Sequence, residues 1–364
     1  SSAASDVYKR QFLSNRLQFS GDIYQRKTTD MFTVGMSLPA VFGTDVPKGN
    51  YADLTTKGFE LSVSWRDQFQ LASKPFNYEV RFTLADYQST IDKYNNPEKK
   101  LGDDYYYEGM KVGEIWGYET EGFFTSQADI DSHAKQPYFY AGATAGQWLP
   151  GDIKFKDLNG DGVIDYGNNT VDNPGDQKII GNSEPRFIYG INLSGDWNNF
   201  FVSAFFQGVG KQDWWPGSEA SYFWGMYNRP YNDMPKSHLG NIWTEENPNT
   251  YFPRLRGYSS EEPYAELNLK QTRYLQNIAY IRMKNIQLGY TLPKSFISKL
   301  RMQNAKVYVS GENLWSWSPF YKYSKDLDVE AVRGSDRDLT EGTSGNGYSY
   351  PILKSVSFGL SVTF

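Results

Sequence analysis

Apolar and polar residues alternate along several stretches of the chain, most regularly in the segment KSVSFGLSVTF at residues 354–364. Every second residue of this segment is apolar: Val356, Phe358, Leu360, Val362 and Phe364. Ser357, Ser361 and Thr363 lie between them. Because successive side chains of a β-strand point to opposite faces, the pattern predicts a strand with one apolar face and one small, hydroxylated face.

The same period of two recurs upstream and predicts an all-β chain. Charged residues stand on the polar faces in mid-strand, as Glu60 and Glu79 do, so these faces need water or polar partners. We therefore predict ten antiparallel strands: 16–31, 52–67, 76–91, 114–124, 151–157, 186–197, 199–210, 279–291, 303–315 and 352–364.

The connections between these strands alternate between short and long, which is typical of an outer-membrane barrel and uncommon in a compact soluble domain. We predict a partial transmembrane antiparallel β-barrel with Phe358, Leu360, Val362 and Phe364 towards lipid. Its long extracellular loops are predicted at 32–51, 92–113, 158–185, 211–278 and 316–351. The segment 125–150 would then fall on the inner side, with a short helix near residues 127–133.

A soluble sheet with its charges turned outward would show the same alternation. A secreted carbohydrate-binding β-sandwich module is therefore the alternative interpretation. The two differ in whether the apolar strand faces form one continuous external band, because a sandwich buries that face against a second sheet.

Composition excludes several other classes of protein. No run approaches 18 apolar residues, so membrane-spanning helices are excluded. The formal net charge is −5 and basic residues are dispersed, which argues against nucleic acid as a partner. The absence of Cys excludes disulfides and thiolate metal sites. Aromatic residues make up 17% of the chain, which suits strands that end at a membrane interface.

The sequence offers no convincing catalytic site. His133 and His238 are its only histidines, so neither a two-histidine metal helix nor a Ser/His/Asp triad is evident. No GxSxG, P-loop or GxGxxG motif is present. We therefore predict that the chain is not an enzyme and has no catalytic residues.

The first eleven residues, SSAASDVYKRQ, have no strand pattern and resemble a translated cloning or sequencing linker. We expect residues 1–11 to be such an artefact and residues 12–364 to carry the fold.

Several motifs follow one another in an order that carries a family resemblance: GDIKFKDLNGDGVID at 151–165, IIGNSEPRFIYGINLSGDW at 179–197, FFQGVGKQD, TRYLQNIAYIRMKNIQLGYTLP at 272–293, VYVSGENLW and SVSFGLSVTF. Together they resemble the C-terminal part of a SusC-like TonB-dependent outer-membrane transporter of the RagA/SusC type, found in Bacteroidetes-type bacteria. The resemblance covers residues 12–364.

This resemblance implies a 22-stranded barrel in the bacterial outer membrane, of which the chain would supply about ten C-terminal strands. The family imports oligosaccharides, peptides or other nutrients with energy from TonB, and a SusD-like surface lipoprotein covers the extracellular mouth. The plug domain, the early strands and the contact with TonB would lie in an N-terminal part outside this chain. Alone, the chain is not expected to transport anything.

The predicted outer loop 211–278 is rich in aromatic residues. We interpret six of them as candidate contacts to a substrate or a partner: Trp214, Trp215, Tyr222, Trp224, Tyr227 and Tyr231. Rings stack on sugar faces, and aromatic anchors also dominate protein interfaces. The alternative is that these rings fold the loop onto itself.

The string DLNGDGVID at 157–165 has the spacing of a calcium loop. Asp157, Asn159, Asp161, the carbonyl of Val163, and Asp165 stand at positions 1, 3, 5, 7 and 9 of an EF-hand-like pattern. Position 12 is Asn168 instead of the bidentate Glu, and the resemblance to SusC-like sequences suggests Asp172 or Asp176 as the remaining ligand. An Asx-rich turn without metal is the alternative. Bound Ca²⁺ is the only cofactor that the sequence suggests.

Overall fold

The computed structural model describes residues 2–34, 48–103, 106–137, 147–332 and 350–364. The strands in chain order are β1 (Ser2–Phe12), β2 (Leu17–Val34), β3 (Lys48–Leu71), β4 (Lys74–Tyr94), β5 (Glu114–Tyr118), β6 (Thr120–Phe123), β7 (Ile153–Phe155), β8 (Gln177–Asn182), β9 (Arg186–Trp197), β10 (Phe200–Lys211), β11 (Asp213–Trp214), β12 (Ile242–Trp243), β13 (Phe252–Arg254), β14 (Gln276–Asn277), β15 (Tyr280–Thr291), β16 (Asn304–Trp317) and β17 (Ser355–Thr363).

The helices are short: α1 (Gln127–Ser132), α2 (Ser221–Trp224) and α3 (Lys294–Ile297). Single 3₁₀ turns cover Gly225–Tyr227, Lys236–His238, Gly257–Ser260, Ser298–Leu300 and Pro319–Lys322. In the part of the chain that the structure describes, no helix combines the length and apolar character needed to cross a membrane.

One large antiparallel sheet dominates the fold. It contains nine of the described strands, in the order β1-β2-β3-β4-β9-β10-β15-β16-β17. Eight of the ten strands predicted from the alternation lie in this sheet, within a few residues of their predicted bounds. The prediction of a mostly β chain with antiparallel pairing is therefore confirmed.

Two predicted barrel strands are wrong. The segments 114–124 and 151–157 form short local pairs instead, β5 with β8 and β6 with β7. They cannot enter the large sheet because β4 pairs directly with β9 from Phe76↔Trp197 to Ala85↔Ile188, which leaves no free edge between these two strands.

Because 114–124 and 151–157 do not cross the sheet, the described residues of the segment between them, 125–150, lie on the same side as the other long connections. All long connections, including the whole stretch from Tyr94 to Arg186, join the strands at the same end of the sheet. This end is called the long-loop end. The predicted inner-side placement of 125–150 is therefore wrong for its described residues, which exclude 138–146. The predicted helix is present as α1, capped by the Oγ of Ser126, which accepts from the N–H of Asp129 at 3.1 Å.

The short turns lie at the opposite end of the strands. Asn198 and Asn199 connect β9 to β10 with φ values of 48° and 69°. A two-residue hairpin turn of this kind needs positive φ at both central positions, and Asn tolerates that conformation better than most residues. The β15–β16 connection at this end contains α3.

Residues 2–12, which the sequence pattern did not predict to form a strand, pair with β2 from Ser2↔Lys27 to Phe12↔Leu17. The edge of β2 offers unpaired N–H and C=O groups, and main-chain hydrogen bonds can recruit almost any sequence to such an edge. The origin of residues 1–11 as a linker stays a prediction.

Directly paired residues share a face of the sheet, so the pairing defines rows across it. The row that lies near the short turns crosses seven strands and is wholly apolar or aromatic. It consists of Leu360, Val307, Tyr290, Phe200, Trp197, Phe76 and Phe69. The opposite face carries a wholly polar row: Ser357, Ser310, Gln287, Ser203, Ser194, Glu79 and Arg66. The predicted separation of Phe358 and Leu360 from Ser357 and Ser361 is confirmed.

The long connections fold together into a compact unit, here called the loop lobe, made of the described residues of 95–185, 212–279 and 318–332. Its apolar core is continuous with Val209 and Tyr280, and Ile188 packs against it. These three residues lie on the polar face of the sheet, close to the strand ends that the long connections join. The one apolar interruption of the alternating pattern in β9, Ile188, is thus explained by contact with the lobe.

Candidate functional site in the loop lobe

The aromatic segment of 211–278 supplies most of the core of the lobe. The ring centroid of Trp224 lies 4.8 Å from that of Phe223 and 5.4 Å from that of Tyr274. Trp214 packs edge-on against Phe223 and Phe320 at 6.2 and 5.8 Å. Edge-to-face packing at these distances is the favoured arrangement of aromatic rings in a core.

This packing decides which of the six predicted contacts can reach a ligand. Four of them are buried in the core and correct the prediction of surface contact: Trp214, Trp215, Trp224 and Tyr227. The hydroxyl of Tyr227 donates to the carbonyl of Pro253 at 2.6 Å, so even its polar atom is used inside the lobe. Tyr222 and Tyr231 are 55% and 81% exposed and stay candidates for contact with a substrate or partner.

The acidic loop 157–165 is held by its own backbone. The carboxylate of Asp157 accepts from the N–H groups of Gly160 and Gly162 at 2.7 and 2.9 Å. The Oδ1 of Asp161 accepts from the N–H of Val163 at 2.9 Å, and the Oδ1 of Asn159 accepts from the N–H of Asp161 at 3.1 Å. These are the bonds of Asx turns, which stabilise the loop without a metal.

Asp176 lies beneath this loop and fixes both of its ends. Its two oxygens accept from the N–H groups of Leu158 and Asp165 at 2.7 and 2.8 Å. Asp176 is fully buried, and its burial raises the pKa of this carboxyl above its usual range despite those bonds. Of the two candidates for the remaining ligand, Asp176 is the one whose carboxylate accepts from the backbone at both ends of the loop, and its observed role is to hold that backbone.

No group of three or more His, Cys, Asp or Glu side chains in the described residues is arranged to hold a metal ion. Asn159 and the carbonyl of Val163 are not of these residue types, so the predicted calcium loop stays a prediction. Its carboxylates already accept hydrogen bonds from N–H groups, and a bound cation would have to share them.

A buried charge network ties the two largest connections together. Asp152 and Glu266 are both fully buried. Arg254 binds Asp152 through Nε at 3.0 Å, and Arg256 lies between the two carboxylates, 3.3 Å from Asp152 and 2.9 Å from Glu266. Burial raises the pKa of Glu266 to about 7, although Arg256 opposes the shift. Breaking such a network leaves an uncompensated charge in the core.

Glu261 is the least compensated acid of the lobe. It is buried, and within the described residues neither of its carboxyl oxygens has a hydrogen-bond partner. Burial raises its pKa well above the usual value, and the nearby Glu219 and Glu266 act in the same direction while Arg229 opposes them. Burial therefore favours the protonated form of this side chain.

A cavity of about 350 Å³ opens in the lobe between three stretches of chain, near residues 100–118, 166–177 and 264–270. Its rings come from Tyr107, Trp116, Tyr118, Tyr166 and Tyr264. The sequence analysis missed this cavity because its residues are far apart along the chain and share no local motif. Only the crossing of the two largest connections brings them together.

Curated relatives match nearly the whole chain. It is 27% identical over 368 residues to TonB-dependent receptor P3 of Formosa agariphila, covering 96% of this chain and 32% of the relative. It is 26% identical to TonB-dependent receptor P26 of the same organism, covering 94% of this chain and 32% of the relative. The chain thus spans about a third of the length of these relatives. No family model matches it.

Solved structures agree in fold. The structure of the RagAB peptide transporter matches with a TM-score of 0.69 at 18% identity, over 100% of this chain and 35% of that chain. The RagAB peptide importer in the 'closed-closed' state matches with a TM-score of 0.67 at the same identity. The resemblance to TonB-dependent transporters of the RagA/SusC type is confirmed, and so is the bacterial outer membrane as its location.

Proposed function

We propose that the chain is the C-terminal part of an outer-membrane TonB-dependent importer of nutrients, such as oligosaccharides or peptides. Its nine-stranded sheet would be a segment of a larger transmembrane barrel, about 22 strands in the complete protein, and the loop lobe would lie at the extracellular mouth. The plug domain and the early strands would belong to the part of the protein that precedes this chain.

The observation that carries this proposal is the exposed apolar face of the sheet. Phe358 is 86% exposed and Leu288 is 52% exposed, and they lie in one row that runs uninterrupted by charge through β15, β16 and β17. Exposing such an area to water is unfavourable, whereas a lipid environment stabilises it. Tyr290 and Trp197, in the row nearest the short turns, fit the aromatic belt at one membrane interface.

The opposite, polar face supports a wet interior. Ser194, Glu79 and Arg66 share one row of that face. A β-sandwich would bury the apolar face under a second sheet, and in the described residues no second large sheet covers it. The secreted carbohydrate-binding module is therefore the weaker interpretation.

For the partners, we infer that a SusD-like surface lipoprotein binds over the loop lobe and that TonB acts through the N-terminal part. Similarity to the RagAB transporter supports a two-component assembly at this level of detail. Tyr222 and Tyr231 are exposed on the lobe and are among the aromatic side chains that such a lid could contact. Similarity to receptors and transporters, together with the lack of catalytic motifs, supports a function that is not enzymatic.

The test uses the complete protein, tagged and purified from its native outer membrane under mild detergent. We expect a surface lipoprotein to copurify in stoichiometric amount and nutrient uptake to stop when TonB is deleted. A complete protein found in the secreted fraction would overturn the proposal. Uptake that continues without TonB would also do so, and recovery from the membrane without any lipoprotein would refute the partner assignment.

A further inference from the structure

The 350 Å³ cavity of the loop lobe has the size of a small-molecule site, since such pockets begin at about 300 Å³. Two of its walls are held together by main-chain bonds: the N–H of Tyr118 donates to the carbonyl of Lys270, and the N–H of Thr272 donates to the carbonyl of Tyr118. Gly117 permits this contact, because a Cβ there would lie 2.4 Å from the carbonyl oxygen of Lys270. The cavity is therefore built into the lobe.

Tyr264 is placed at this cavity at an energetic cost. Its φ is +65°, a left-handed conformation that is unfavourable for a bulky residue. Its side chain is nevertheless 55% exposed, so burial of the ring does not explain the strain. The ring lies 6.4 Å from that of Tyr166 at an interplanar angle of 30°, so the two rings form one aromatic surface. Strained residues of this kind cluster at sites of function.

The two lysines at the cavity are paired with carboxylates of the protein. The Nζ of Lys270 lies 2.5 Å from the Oδ1 of Asp103, and the Nζ of Lys100 lies 2.9 Å from the Oε2 of Glu98. Glu114 accepts from the hydroxyl of Tyr107. Both lysines are therefore paired, whereas Glu114 has no cationic partner among the ion pairs of the described residues, so the lining offers no free cation to an anionic ligand. This argues against an anionic ligand.

The amide side chains of the lining suit hydroxyl groups. Gln177 donates from Nε2 to Asn169, and Asn268 donates from Nδ2 to the carbonyl of Glu261. Within the described residues, no hydrogen bond reaches the Oε1 of Gln177 or the Oδ1 of Asn268. These acceptors can bind the O–H donors of a ligand, and a hydroxyl can also accept in return.

We propose that this cavity binds a neutral sugar ring of an oligosaccharide. The aromatic surface of Tyr166 and Tyr264 covers the apolar face of the ring, and the amides of Gln177 and Asn268 bind its hydroxyl groups. The inference rests on the proposed function, because it names the class of substrate that the importer would take up. The cavity would be a binding site for that substrate on the loop lobe. An acidic glycan would find no unpaired cation among the described lining residues.

Tyr264→Gly is the sharpest variant. Gly adopts a φ of +65° without strain, so this change removes the ring while keeping or raising the stability of the lobe. Tyr264→Phe keeps the ring and the strain. Tyr258→Ala removes another exposed tyrosine of the same lobe that does not line the cavity, and it is the matched control.

The experiment measures binding by the purified full-length protein, in detergent, to six hexasaccharide probes. Four are neutral, from α-glucan, β-glucan, mannan and xylan, and two are anionic, from alginate and polygalacturonate. We expect a neutral probe to bind most tightly. Its affinity should fall about tenfold or more in Tyr264→Gly, as for loss of an aromatic anchor, and stay unchanged in Tyr264→Phe and Tyr258→Ala.

Three results would overturn the inference: no binding of any neutral probe by correctly assembled protein, tighter binding of an anionic probe or of a peptide, or unchanged affinity in Tyr264→Gly. Each of these leaves the barrel and TonB-dependent uptake intact, so each can be told apart from failure of the proposed function. Failure of the full-length wild-type protein to assemble in the outer membrane would instead count against the proposed function.

Discussion

The sheet and the loop lobe use the same residue types in opposite ways. Phe358 of the sheet is 86% exposed, whereas Trp224 of the lobe has no exposed surface. In the sheet the aromatic and aliphatic side chains point away from the protein, and in the proposed barrel lipid would take the place of a core. In the lobe, residues separated by as much as two hundred positions bury one another as in a soluble domain.

This difference implies that the two regions depend on different solvents. The sheet should assemble where lipid covers its apolar rows, and charge on that face is its main vulnerability. The lobe should be stable in water once its connections cross, and loss of core volume is its main vulnerability. Substitutions that harm one region and spare the other therefore test the division directly.

The largest effect is expected for Trp224→Ala in the lobe core. The indole packs against Phe223 and Tyr274, and its N–H donates to the carbonyl of Pro216 at 3.0 Å. Its removal should destabilise the lobe by about 3–5 kcal/mol. In the complete protein, protease should then cut within 211–278 while the barrel keeps its folded mobility on an unheated SDS gel. The matched control is Tyr222→Ala, and equal cleavage in both would contradict this division.

The next effect concerns the apolar face of the sheet. Leu193 is directly paired with Val80 and Ala204 in the middle of the exposed rows, and Ser194 is the adjacent residue on the polar face. Leu193→Arg should cost about 2–4 kcal/mol and reduce assembly in the outer membrane, and Ser194→Arg should cost much less. Leu360→Arg, in the row nearest the short turns, should cost about 0–1 kcal/mol. Equal assembly of the Leu193 and Ser194 variants would refute the assigned faces.

A pH-dependent effect of two buried acids is expected in the lobe. The folded pKa of Glu261 is raised well above its usual 4.5, and that of Glu266 is raised to about 7. At these two groups the folded lobe holds protons that the unfolded chain has released, so their contribution to the stability of the lobe is largest below pH 4.5. It falls as the pH rises from 4.5 through the folded pKa values, by about 1.4 kcal/mol for each unit of raised pKa.

Glu261→Gln should remove its share of this dependence and make the lobe more resistant to protease at pH 8 than the wild type. The control is Glu262→Gln, which changes the exposed neighbouring acid and should leave the pH profile unaltered. A Glu261→Gln profile parallel to that of the wild type would show that Glu261 is not protonated in the folded lobe.

The smallest effect is expected at the acidic loop. Asp157→Ala removes two hydrogen bonds to backbone N–H groups at an exposed site and should loosen residues 158–185 by about 1 kcal/mol. The measurement is the rate of protease cleavage in that segment, with and without calcium, and Asp172→Ala on the exposed part of the same connection is the control. Protection by calcium that is lost with Asp157 would establish the predicted ion site, and equal rates with and without calcium would leave only the turn.

The sequence by itself determined eight of the nine described strands of the large sheet. A strand carries its orientation in a period of two, and this period is visible in β9, β10, β15, β16 and β17 without knowledge of any neighbour. The order of short and long connections, and the resemblance to TonB-dependent transporters, were also readable along the chain. Eight strands and both faces of the final strand follow from such local information.

Only the tertiary structure determined where the residues of the long connections pack. The alternation of 114–124 and 151–157 is real, but the direct pairing of β4 with β9 excludes both segments from the sheet and assigns them to the lobe. Likewise Trp214 and Trp224 look like surface anchors in sequence and are core residues in space, whereas Tyr166 and Tyr264 look unremarkable and meet at a cavity. The physical reason is that burial in the lobe arises from contacts between residues far apart in the chain, and no local pattern encodes which distant segment will cover a given ring.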